Sequence, residues 1–107
     1  MADQTKLLTT IVTANTELVD YEVIPNGDTW HIDRIIGSAS PFRDSHIRLV
    51  WDYGSGNEDI LAIVYGSFSI IIERDLLGNG VKKLALILEN DSPSSVYFYA
   101  KYLAASI

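Results

Sequence analysis

Two histidines, His31 and His46, are the side chains whose ordinary pKa suits proton transfer near neutrality. Asp33 follows His31 by two positions, so in an extended segment the pair shares a face and could do acid–base work. No nucleophile or oxyanion donor is signalled beside them, and the pair reads as a solvated strand position next to an opposite charge. His31 and His46 could meet across paired strands to hold a metal, but no His-x-His pair and no third ligand at fixed spacing supports this. Asp52, Asn57, Glu58 and Asp59 around Gly54 form a loose oxygen-rich loop without the regular calcium pattern. Asn90 and Asp91 add two more oxygens, and loop polarity accounts for both groups. No serine sits in a nucleophile elbow. The glycine pairs Gly54/Gly56 and Gly78/Gly80 match no phosphate loop and read as hairpin tips. No catalytic residue, cofactor or metal is assigned, and the chain reads as a non-enzyme.

The elements that would position these residues are strands. Period-two alternation and β-branched residues run from end to end. Strands are expected over 7–13, 16–24, 29–38, 45–53, 59–65, 67–74, 81–88 and 95–103. Val19, Tyr21 and Val23 share one face of the second strand, with Asp20 and Glu22 on the other. Ile24-Pro25-Asn26-Gly27 is a turn, with proline at its second position. Adjacent Ile35 and Ile36 cannot both continue the face of Trp30 and Ile32, so a bulge or bend is expected there. Helix competes over 59–65 and 97–105, but β-branched and aromatic residues favour strand in both. About eight strands at this spacing describe an all-β fold, a small antiparallel β-sandwich of jelly-roll type. Residues 1–15 are an N-terminal arm or first strand, and 16–107 a single sandwich domain.

Composition narrows the class. The 107 residues hold no cysteine, which removes disulfides, thiolate metal sites and a Cys nucleophile. A formal charge of −6 argues against binding nucleic acid or an anionic membrane, and no apolar run nears the roughly 20 residues a spanning helix needs. The first six residues lack the basic start and apolar stretch of a signal peptide. Lys82-Lys83 is the one basic dipeptide, and Lys6, Arg34, Arg43, Arg48, Arg74 and Lys101 are scattered.

Yet 48% of the residues are hydrophobic, a large share for a small unclipped domain. The surplus falls on second strand faces: Val50, Ile71, Ile87, Tyr97, Tyr99 and Leu103 lie where a one-sided sheet would be polar. A self-association interface is expected there, with tyrosines suited to its edge.

The stretch 19–39, with Pro25-Asn26-Gly27 and Trp30-His31-Ile32, followed by His46-Ile47-Arg48-Leu49-Val50-Trp51, resembles small jelly-roll proteins of tailed bacteriophages over roughly residues 16–53. Similar proteins include capsid cement, or decoration, proteins. The resemblance implies a homotrimer on the outer capsid surface that stabilises the head. The major capsid protein would be its partner and the virion its location, after assembly in the host cytoplasm. On that reading Leu7, Leu8, Ile11 and Val12 would contact the capsid or a neighbour by strand addition. Two alternatives stay open: a carbohydrate- or ligand-binding module using Trp30, Trp51 or Tyr53, and a tail or fibre component of the virion. A cupin-like enzyme lacks the clustered His and Glu it needs.

Overall fold

The computed structural model describes residues 2–41 and 44–107. Met1 and Arg43, read above as part of the N-terminal segment and as a scattered basic residue, lie outside the described residues. Eight strands form: β1 (Lys6–Val12), β2 (Thr16–Val23), β3 (Thr29–Ser40), β4 (Ser45–Trp51), β5 (Asp59–Tyr65), β6 (Phe68–Leu77), β7 (Lys83–Asn90) and β8 (Val96–Ser106). They build two four-stranded antiparallel sheets, ordered β1-β8-β3-β6 and β2-β7-β4-β5. This interleaving, in which the chain repeatedly crosses from one sheet to the other, is the jelly roll.

Between the sheets lies one main core, including Ile32, Ile35, Ile47, Leu49, Leu84, Leu86, Leu88, Phe98 and Tyr102. Burying each aliphatic chain contributes about 1.5–3 kcal/mol, so the Leu84-Leu86-Leu88 row of the central strand β7 is a principal source of stability. Gly37 belongs to that packing. A Cβ there would stand 2.6 Å from Ile47 Cδ1, so glycine lets the sheets approach.

Three local expectations change. The register of β3 shifts between Ile32 and Arg34: against β8 Asp33 is the extra residue, while against β6 the extra residue lies on β6 at Ile72-Glu73, and the irregularity precedes Ile35-Ile36. That shift flips the phase, turning Ile35 into the core and Ile36 outward. In β2, Asp20 stands opposite Leu86 and Glu22 opposite Leu84, so the carboxylates take the core side and Val19, Tyr21 and Val23 face out. Edge position makes this possible, because inner-face side chains there reach the seam between sheets. The turn before β3 closes with Asp28 N–H donating to Pro25 C=O at 3.1 Å, one residue later than expected.

Gly54 and Gly56 cap the paired β4 and β5, a true hairpin tip. Gly78-Asn79-Gly80 instead joins β6 to β7 across the two sheets. It packs on the 24–28 turn, where Gly80 N–H donates to Ile24 C=O at 3.1 Å and Gly78 N–H to Asp28 C=O at 2.8 Å. A Cβ on Gly78 would lie 2.5 Å from the Ile24 and Pro25 carbonyl oxygens, so only glycine fits.

The first strand is not a free arm. All seven residues of β1 pair with β8, from Lys6 opposite Tyr102 to Val12 opposite Val96. Val12 is buried and Leu8 packs against the core, so neither is available to a neighbour.

Candidate functional site

The cross-strand register arranges the outer face of the β1-β8-β3-β6 sheet in rows. Ile11, Tyr97 and Ser40 form the first, and Thr9, Tyr99 and Ser38 the second. Leu7, Lys101, Ile36 and Ser69 form the third, and Leu103, Arg34 and Ile71 the fourth. Leu7 is 54% exposed, Ile11 65%, Ile71 65% and Tyr97 49%. Across these four rows the charged side chains are Lys101 and Arg34, both cationic. In a chain of net charge −6, these four rows carry no carboxylate in their register positions.

Six of the sequence-derived contact residues thus come together: Ile71, Tyr97, Tyr99, Leu103, Leu7 and Ile11. Expected as two separate surfaces, they form one. Val50 and Ile87 do not join it. They lie on the outer face of the other sheet, each 1% exposed, in a second small cluster with Ala85, Val19 and Tyr53. The reason is local. Ala85 and Ile87 occupy the middle strand β7, flanked by Tyr21 and Val50, and by Val19 and Arg48. Val50, Ala85 and Ile87 pack on one another together with Val19 and Tyr53, and the Lys83 ammonium lies 4.7 Å from the Tyr21 ring centroid beside them. The apolar surplus of β7 is therefore consumed within the chain.

The fifth row of the first sheet is different. His31 lies beside Ala105 and Asp75, and its two ring nitrogens contact carboxylates of β6: Nδ1 to Asp75 at 2.6 Å and Nε2 to Glu73 at 2.9 Å. Asp33, expected as its partner, is paired with Arg34 at 3.2 Å. The Asp75 hydrogen bond first, with support from Glu73, outweighs desolvation and raises the His31 pKa. Hydrogen bonding from Glu73 and Arg34 holds Asp33 low. Ligand atoms of His31, Asp33 and Glu73 lie within 4.8 Å of one another, as do those of His46, Glu89 and Asp91. The two histidines themselves are on different sheets and do not meet. His46 Nε2 is 3.2 Å from Glu89, whose pKa burial raises.

The oxygens once grouped around Gly54 diverge. Glu58 accepts from the Gly54 N–H, while Asp59 turns to the sheet seam and holds Arg74 at 2.7 Å. Asn90 is no loop residue either. It is fully buried, donating to the carbonyls of Val12 at 3.0 Å, Thr13 at 3.2 Å and Ser94 at 2.9 Å. Its Oδ1 accepts from Ser92 N at 2.9 Å and Ser92 Oγ at 2.7 Å. The one available signal was its position, on the inward phase of Leu84, Leu86 and Leu88.

No family model matches the chain, and no curated protein matches it. Among solved structures, it is similar to a de novo designed double-stranded β-helix, at 15% identity and a TM-score of 0.44, over 91% of this chain and 97% of that one. It is also similar to the core of Drosophila NLP, described in terms of pentamer formation and histone binding, at 9% identity and a TM-score of 0.48, over 92% and 97%. The likeness is of fold alone.

Proposed function

We propose that the protein is a non-enzymatic structural component of a virion, a self-associating jelly roll that acts as a trimeric cement or decoration protein on the outer capsid surface. The observation that supports it is the apolar part of the β1-β8-β3-β6 face, four rows without a carboxylate in register, with Leu7, Ile11, Ile71 and Tyr97 about half exposed or more. Apolar patches of this kind, depleted of charge and edged by tyrosine, suit association between protein surfaces. Jelly rolls serve widely as capsid and lectin modules, which agrees with the sequence resemblance over residues 16–53. The capsid assignment rests on that resemblance, as does the three-fold state.

We favour contact through the face over strand addition. β1 is already held by β8 on one side and carries the inward-turned Lys6 at its open edge, so neighbours would meet the sheet face through side chains. Three copies held together would bind a lattice with avidity, since the second and third contacts are intramolecular. The net negative charge would reduce sticking to packaged nucleic acid. Sedimentation equilibrium of the purified chain should return a trimer, and a monomer at micromolar concentration would overturn the self-association reading. Co-sedimentation with undecorated phage heads tests the capsid step separately: recovery in the supernatant alone counts against it.

A further inference from the structure

A cleft of about 400 Å³ opens at one end of the sandwich, where the chain leading into β1 passes the end of β2. Two of its lining residues, Trp30 and Tyr102, are buried, at 6% and 1% exposure. Each has a polar atom without a partner among the described residues: Trp30 Nε1 and the Tyr102 hydroxyl. Buried polar atoms in folded proteins are overwhelmingly satisfied, and an unpaired one costs on the order of 1–3 kcal/mol. Two such atoms belong to residues that line one cleft of ligand-binding size, so an occupant of that cleft could satisfy both.

The chemistry of that partner follows from the wall. The indole N–H only donates. Tyr102 is also held as the protonated phenol, since burial and then the charges of Glu22 and Asp20 push its pKa upward. Two neutral donors call for acceptor oxygens. The Lys6 ammonium is already engaged by Glu22 at 2.7 Å and Asp20 at 3.1 Å, so it offers little to an anion. The two carboxylates around it repel one. Gln4, which also lines the cleft, makes no side-chain bond to any described residue, so its amide is unspent. Both orphaned atoms are closed off from bulk water, so a solute reaches them by moving such a side chain aside.

We infer that this cleft is a binding site for a neutral, hydroxyl-rich solute of monosaccharide size, whose oxygens accept from Trp30 Nε1 and Tyr102. The site lies at the sandwich end and does not depend on self-association through the sheet face.

The test uses the full chain labelled with ¹⁵N and follows the two indole N–H resonances during titration with glucose, galactose, mannose or N-acetylglucosamine. At least one of these sugars should shift the Trp30 signal saturably and leave Trp51 in place. Glucuronate, with its carboxylate, should bind about tenfold more weakly than glucose or not at all, and equal binding would overturn the assignment to a neutral solute. Tyr102→Phe keeps the ring and removes the hydroxyl, so it should fold normally and weaken binding by about tenfold. Unchanged affinity in that variant would remove Tyr102 from the site. If none of the four sugars moves the Trp30 resonance, ordered water alone satisfies the two donors and the inference fails.

Discussion

Replacing Asn90 with alanine should be among the most damaging single changes to this fold. The side chain makes five hydrogen bonds that tie the end of β1, the end of β7 and the 91–95 turn together. Alanine removes all five and returns no partner. Groups near the surface, such as the Thr13 and Ser94 carbonyls, can turn to water at little cost. The Val12 carbonyl and the Ser92 N–H cannot, because their bonds to Asn90 are buried. Each stranded group costs about 1–3 kcal/mol, so Asn90→Ala should lose about 3–4 kcal/mol. At a urea slope of about 2 kcal/mol/M, the midpoint should fall by nearly 2 M with the slope unchanged. Asn90→Asp sharpens the case, since it preserves shape but sets an acceptor against three carbonyl oxygens. It should be at least as unstable as the alanine variant near neutral pH. All variants are compared at one protein concentration, because association would raise apparent stability. A loss below about 0.5 kcal/mol in both variants, the range of ordinary surface changes, would refute the hub role.

Lysine at exposed Ile11 should abolish self-association in sedimentation while leaving the melting temperature close to the parent, whereas Val50→Lys should unfold the chain by burying a charge. Unimpaired association in Ile11→Lys would remove the β1-β8-β3-β6 face from the interface. Gly78→Ala should cost about 1–3 kcal/mol in chemical denaturation, because the new methyl meets two fixed carbonyl oxygens, and a neutral result would contradict the turn packing. The raised His31 pKa means that its stabilising contribution is present below the unfolded value near 6.5 and fades as pH rises through the higher folded value. His31→Gln should flatten that part of the stability profile, and a parallel profile would count against the Glu73–His31–Asp75 bridge.

The strands were legible because period-two patterning and turn residues report directly on backbone geometry. Leu84, Leu86 and Leu88 could hardly be read another way. What failed to show was anything that depends on which element lies alongside. Asp20 and Glu22 looked solvent-facing because a carboxylate normally is, and only the neighbouring Lys6 on the opposite sheet explains their inward turn. Val50 and Ile87 looked available because sequence gives a residue's phase but not which residues of other strands pack over it. The displaced bulge at Asp33 inverted Ile35 and Ile36 by the same blindness to pairing. Leu7 and Ile11 read as one contact surface, and Ile71 and Tyr97 as another. Their union needed the β1-β8-β3 order, which no local pattern encodes.

The seams of the sandwich carry one more consequence. Each of the four edge strands turns a charge inward: Lys6 on β1, Asp20 and Glu22 on β2, Asp59 on β5 and Arg74 on β6. Lys6 meets its acids across one seam and Arg74 meets Asp59 across the other. A foreign strand laid along any of these edges would have to bury or displace such a charge, so the molecule resists the end-on sheet growth that leads to fibres. Neutral replacements at Lys6, Asp20 and Glu22 should make concentrated solutions bind thioflavin, and clear, dye-negative solutions would show that the charges guard nothing.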